Sequence, residues 1–214
     1  MMKRVIFAGV LGLALAGCAS QPRLSQEQCA SADWRAIGLQ DGQAGQAMTA
    51  LNDEIMACKE YGISPDLAAY TAGREEGLKQ YCQPATVLDA TVQGVGDPFV
   101  CEPFSDTLRT AFETGRETRA AVQRWQQVQA QYQQLTERRD AINQEGARLT
   151  QLYNQEPDAA RRQQIGAQIT ELSQQRNALD AQIAEAEPIM RQEEAQYRGA
   201  VANYERVRAG LTGS

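Results

Sequence analysis

Histidine is absent from all 214 residues. That gap excludes Ser-His-Asp and Cys-His catalysis, imidazole metal ligation and the side chain that most often changes charge near neutral pH. Proline is scarce, at 7 residues, and charged residues are ordinary in number at 22%, so general disorder is not expected. Positive charge is in deficit: 21 Lys and Arg stand against 27 Asp and Glu, for a net −6. A phosphate-binding chain carries the opposite balance, so nucleic acid is not an expected partner. No phosphate loop or metal motif is present. The neighbouring carboxylates Glu75-Glu76 and Glu193-Glu194 fall on helical stretches and read as solvated faces rather than a hydrolase acid pair. Neither a cofactor nor catalysis is expected.

Long apolar runs are also missing. The longest, Val5 to Ala16, is too short for a hydrocarbon core that needs about 20 residues. It follows Lys3-Arg4 and ends in Leu15-Ala16-Gly17-Cys18, which reads as a signal peptide over residues 1–17. The four residues that end it resemble the lipobox of bacterial lipoproteins. There the Cys sulfur takes a diacylglyceryl group, cleavage precedes that Cys, and the new amine is often acylated. Cys18 is therefore the expected lipidation site and the contact with the membrane. Two or three acyl chains suffice for stable anchoring, since each buried CH2 contributes about 0.8 kcal/mol. Residue 19 is Ala rather than Asp. By resemblance to the sorting rule of enteric bacteria, this favours the inner leaflet of the outer membrane, facing the periplasm. Residues 18–28 read as a polar tether.

Four Cys remain: Cys29, Cys58, Cys82 and Cys101. An even number in an oxidising compartment reads as two disulfides. A four-thiolate zinc site is the alternative, but such sites usually carry close C-x2-C pairs, and these Cys are widely spaced. Four Cys allow three connectivities. The favoured one is Cys29–Cys58 with Cys82–Cys101, on the following geometry.

Residues 29–103 read as a small helical head. A first helix, from Asp33 to about Ala44, opens on Ser31 or Asp33 as N-cap. Trp34, Gly38, Gly42 and Gly45 share one face of it. Each interior Gly costs about 1 kcal/mol against Ala, tolerable where another backbone approaches closely. A second helix, about Met48 to Tyr61, turns Leu51, Ile55 and Met56 inward, with Gly62 after it. If these two fold back at Gly45, Cys29 and Cys58 meet at the open end. As one straight helix they could not bridge, since Asp33 to Cys58 would span about 39 Å. Ser64 as N-cap and Pro65 at N1 open a third helix, running to about Cys82. It carries Tyr70, Gly73 and Gly77, again an aromatic before spaced glycines, and Phe112-Glu113-Thr114-Gly115 echoes the unit. Such units predict close helix crossings with the aromatic closing one end. Pro84 to Pro103 is expected to be an irregular loop tied back by Cys82–Cys101.

Taken in order, Cys29, Asp33-Trp34, Gly38, Asp41-Gly42, Gly45, Cys58, Pro65-Asp66, Tyr70, Gly73-Arg74, Gly77-Leu78, Tyr81-Cys82, Gly94, Gly96 and Cys101 resemble a bacterial lipoprotein family catalogued as domain of unknown function 2799. The resemblance covers about residues 18–116. It implies an envelope lipoprotein and carries no activity. Phe99 departs from it, standing where the G-x-G-x-x-Y stretch has Tyr.

Residues 104–211 turn rich in Gln, Arg, Glu and Ala, which favour helix. Ala121, Trp125, Val128, Tyr132, Leu135, Ile142, Leu149 and Tyr153 alternate in steps of four and three, with Arg139 and Gly146 filling empty slots. Ile165, Ile169, Leu172, Leu179, Ile183, Ala186, Met190, Tyr197, Ala200, Tyr204 and Val207 make a second heptad seam, interrupted at Arg176 and Glu193. A fold at Pro157, placed at N1 of the return helix, sets Leu149 against Ile165, Ile142 against Leu172, Leu135 against Leu179, Tyr132 against Ile183 and Trp125 against Met190. It also brings Arg139 opposite Arg176, as a polar layer whose heads reach Asp140, Asp180 or Glu137. Pro188 is expected to kink the return helix near Ala184.

The expected fold is therefore all-α: a small disulfide-stapled helical head and a long antiparallel two-helix coiled-coil hairpin. The expected role is that of a lipid-anchored envelope protein that scaffolds or spaces a protein partner through the coiled coil. The alternative is a binding module for peptidoglycan or another small envelope ligand, using the head aromatics Trp34, Tyr70, Tyr81 and Phe99.

Overall fold

The structure, a computed structural model, describes residues 24–213. The apolar leader, Cys18 and the start of the tether lie outside them. The described residues form helices and no strand: α1 (Gln26–Ser31), α2 (Trp34–Gln43), α3 (Ala50–Glu60), α4 (Leu67–Tyr81), α5 (Pro84–Gln93), α6 (Asp106–Gln155) and α7 (Ala159–Thr212), with one 3-10 turn at Pro98–Val100. No described helix is long and apolar enough to cross a membrane.

Caps explain where the helices stop, and four of them correct the sequence reading. Ser25 and Gln28 form a reciprocal capping box, so the last tether residues are already helical. The N-cap of α4 is Asp66, whose Oδ1 accepts from the Ala69 N–H at 2.9 Å, and Ser64-Pro65 stays in the loop before it. Pro84 is the first residue of α5, where its missing N–H is harmless. Gly94 ends that helix at φ +72°, with Val95 N–H on the Ala90 carbonyl and Gly94 N–H on the Thr91 carbonyl. The stretch expected to be irregular is therefore helical for its first half. Asp158, not Pro157, caps α7, and Pro157 precedes the cap. The Gly62 ending of α3 follows the same left-handed pattern as Gly94.

Glycine decides the packing of the head. The main partner of α2 is α4, not α3. A Cβ at Gly38 would strike the Tyr70 carbonyl, and one at Gly73 would strike the Arg35 carbonyl; Gly42 and Gly77 repeat this one turn on. The two backbones lie in direct contact. Helix α3 is held by the Cys29–Cys58 disulfide and by Leu51. Met56, expected inward, is exposed. Gly115 makes the third close approach, against Leu88 and Thr91 of α5.

Two cores result. Cys29, Trp34, Leu51, Cys58 and Tyr70 form the first. Tyr81, Val87, Ala90, Cys101 and Leu108 form the second, with Phe104 and Phe112 against it. The second runs into α6, so residue 104 is not a packing boundary. Helix α5 packs on both α6 and α7, and a three-helix junction closes the base of the hairpin.

Helices α6, of 50 residues, and α7, of 54, pack along each other. Leu149, Leu179 and Ile183 are buried in the seam. Toward the base, Trp125 stacks on Tyr197, with centroids 6.2 Å apart. Arg124 pairs with Glu193 at 3.4 Å. Counting positions from the turn treats side chains as perpendicular to the helix. Real ones lean toward their own N-terminus. In antiparallel arms, Trp125 leans toward the head and Tyr197 toward the tip, so the rings converge. Pro188 lies inside α7, which continues through it.

The glycines divide by what surrounds them. Gly38→Ala should destabilise the protein by about 2 kcal/mol or more, because its methyl meets a carbonyl that cannot swing away. Gly146 has open space around it, so Gly146→Ala should add about 1 kcal/mol through helix propensity alone. Denaturant unfolding under oxidising conditions measures both; equal effects of one sign would contradict the assignment.

Candidate functional surfaces

Of the four aromatic side chains singled out in the sequence, three lie in the cores. Trp34, Tyr70 and Tyr81 are buried, whereas Phe99 is 65% exposed. The Tyr70 hydroxyl donates to Asp41 Oδ2 at 2.8 Å. Burial first, and then this bond, pushes its pKa well above the usual range. The Tyr81 ring lies over Gly45 and Gly96. Its hydroxyl is buried without a protein partner, and burial followed by the nearby Asp97 carboxylate pushes its pKa up to about 12. Tyr81 and Gly96 explain each other, since any side chain at residue 96 would enter the ring's space.

Beside Tyr70 sits a polar group that sequence reading missed. Glu54 on α3 has Oε2 buried without a protein partner, and desolvation, then the Asp41 charge, raises its pKa. Arg74 donates to the Gln46 carbonyl at 2.7 Å while its Nε is buried and unpaired. Nothing in the one-dimensional pattern marked Glu54, because the groups around it, Asp41 and Tyr70, come from two other helices.

Two open grooves border the head. One, of about 870 Å³, runs between Met48, Arg74, Leu78 and Phe99. Phe99 also packs edge-on against Phe112, with centroids 5.4 Å apart, and at a tilt against Phe104. This ring trio stands where the sequence departs from a Tyr, and Arg109 and Arg116 lie over its Phe104 and Phe112 rings. The other groove, of about 470 Å³, lies between α3 and the start of α4.

The two disulfides are Cys29–Cys58 and Cys82–Cys101, each with Cα atoms 5.5 Å apart, so the four sulfurs are bonded in pairs rather than free for a metal. On the hairpin, Arg139 turns to Asp140, with Nη2–Oδ1 2.9 Å and Nε–Oδ1 3.2 Å. Arg176 reaches Asn177 at 3.1 Å and Asp180 at 3.9 Å. Both heads lie along their own helices. Beside Arg176, a gap of about 200 Å³ bordered by Gly146, Ile169 and Leu172 opens to solvent.

The return end of the hairpin is bonded to the head. Asp89 on α5 accepts from the Tyr204 hydroxyl at 2.7 Å and from Arg208 Nε, 3.0 Å from each carboxylate oxygen. These partners are separated by well over a hundred residues, so no local pattern could pair them.

Residues 33–117 match a family described as Protein of unknown function (DUF2799). The match begins at the N-cap of α2 and ends in the first turns of α6, just beyond Gly115. No curated protein and no solved structure matches the chain.

Two outcomes test these contacts. Folding raises the Glu54 pKa, so from about pH 4.3 upward the folded state retains a proton that the unfolded chain has released. Stability attributable to Glu54 falls as pH rises through that window. Glu54→Gln should therefore melt higher than the parent at neutral pH, and the difference should close as pH falls below about 4. Separately, Asp89→Ala should speed amide exchange in the last turns of α7 and leave the tip near Leu149 unchanged; unaltered exchange at the base would mean the seam alone holds α7.

Proposed function

We propose, for a chain whose residues 33–117 belong to the DUF2799 family, a structural role: a lipid-anchored envelope protein that holds a long hairpin at a set attitude and presents it to a protein partner. The observation that carries this reading is the base of the hairpin. Helix α6 grows out of the second core without a linker, and α7 returns to bond Asp89. A rod fixed at its root transmits the position of the head to the tip, about 70 Å away. A rod joined by a flexible linker would not. The signal-peptide pattern and Cys18 support membrane attachment through lipid, and the widely spaced, paired Cys suit an oxidising envelope compartment.

Reach is the property to alter. Excising residues 128–148 together with 166–186 removes matched stretches from both arms, keeps base and tip intact, and shortens the rod by about 32 Å. Crosslinking in intact cells should then lose the protein captured through the tip while the protein remains folded and membrane-bound. An unchanged set of captured proteins would overturn the spacer reading.

Phe99 supports a second reading. It is exposed beside Met48 on the larger groove, where an envelope ligand such as a cell-wall fragment could stack. Retention on purified sacculus that is lost in Phe99→Ala would favour this role; no retention of the parent protein would end it.

A further inference from the structure

We infer that the face formed by the outer side of α3 and the start of α4 rests on the lipid bilayer, with Met56 and Leu67 entering the boundary between headgroups and acyl chains. The inference rests on the lipid-anchored reading above for its placement, and on the described residues for its chemistry.

The first support is apolar exposure at one end of the head. Met56 is 55% exposed and Leu67 51%, and Tyr61 beside them is also open. Met56 and Leu67 flank the groove that Ile55, Pro65 and Lys59 also line. A thioether and an isobutyl group side by side in water are unfavourable, and a bilayer boundary accepts them at about 0.8 kcal/mol per buried CH2. Lys59 can bury its stem along the same surface while its ammonium meets phosphate.

The second support is the chain's point of entry. Leu24 packs on the first core together with Ile55 and Ile63, and its carbonyl lies 4.0 Å from Cys29 Sγ. Cys29 is bonded to Cys58, one turn from Ile55 on α3. Only residues 19–23 separate Leu24 from Cys18, and even fully extended they reach about 21 Å. An acylated Cys18 therefore keeps this end of the head at the bilayer surface.

The third support is polarity along α4. Tyr70, near its start, belongs to the first core, and Tyr81, at its end, belongs to the second. The other exposed apolar side chains of the head, Met48, Val95 and Phe99, lie by the end of α4 and the second core. The hairpin also grows from that end. With α3 on the membrane, the rod leaves from the opposite end of the head.

The test uses the full lipidated protein in vesicles of phosphatidylethanolamine and phosphatidylglycerol doped with a phospholipid carrying a photoreactive diazirine on its acyl chain. Labelled peptides are mapped by mass spectrometry. Label should concentrate on the peptides containing Met56 and Leu67. The double variant Met56→Ser/Leu67→Ser should lose it severalfold, with helix content and both disulfides unchanged, since both side chains are exposed. A second arm replaces everything before Ala19 with hexahistidine and holds the chain on nickel-chelating lipid; the same map is expected. That arm separates the two ideas. An N-terminal peptide without acyl mass would refute lipidation alone, while the tethered chain still reports on the face. Label spread over the head or concentrated at Phe99 would overturn the inference. So would a map unchanged in the double variant.

Discussion

Where α2 crosses α4, two helical backbones touch, because Gly38 and Gly42 on one side face Gly73 and Gly77 on the other. The rest of the head is arranged around that contact. With no side chains between the axes, the crossing contributes little apolar burial of its own. It gathers dispersion and weak C–H···O contacts along a short line instead. Four interior glycines forgo about 4 kcal/mol of helix propensity. The flanking polar pairs, Arg35–Glu76 and Gln43–Gln80, are exposed and add little. The large rings therefore move to the ends of the crossing, Trp34 and Tyr70 at one and Tyr81 at the other, and each end is closed by a disulfide. A bridge of this loop length typically contributes about 3 kcal/mol, comparable to what the glycines forgo. The same chemistry that lets the helices touch makes covalent closure valuable.

The two ends of the crossing do different things. At the first, the chain enters and α3 lies over the bridge. At the second, α5 joins α6 and α7, and the head becomes the root of the hairpin. Gly115 repeats the close-approach device there, bringing α6 against Leu88 and Thr91 of α5. The latch at Asp89 is partly solvated, so its charge contributes modestly to stability. Its value lies in direction: a carboxylate bonded at once by a guanidinium and a phenol admits few orientations of α7.

The hairpin obeys different rules. It has few buried residues along its length, and its polar layer at Arg139 and Arg176 is solvated rather than paired across the seam. Such a seam specifies alignment more than it supplies stability, and the anchored base compensates by holding both arms where they meet the head.

Much of this was legible in one dimension because it depends on local chemistry. Heptad spacing marked the two arms, capping residues marked the start of α2 and the end of α3, and an even count of Cys outside the leader marked two disulfides. The aromatic-glycine units announced close crossings before any partner was known. Pro84 reads as a loop signal in one dimension and yet starts α5, because proline opens a helix as readily as it ends one. Tertiary structure decided the rest: that α2 chooses α4 over α3, that Trp125 stacks on Tyr197, that Asp89 receives Tyr204 and Arg208, and that Glu54 Oε2 is buried without a hydrogen-bond partner. Those outcomes depend on where side chains lean and which distant surfaces meet. Spacing along a chain records which face a residue occupies, but not what that face will touch.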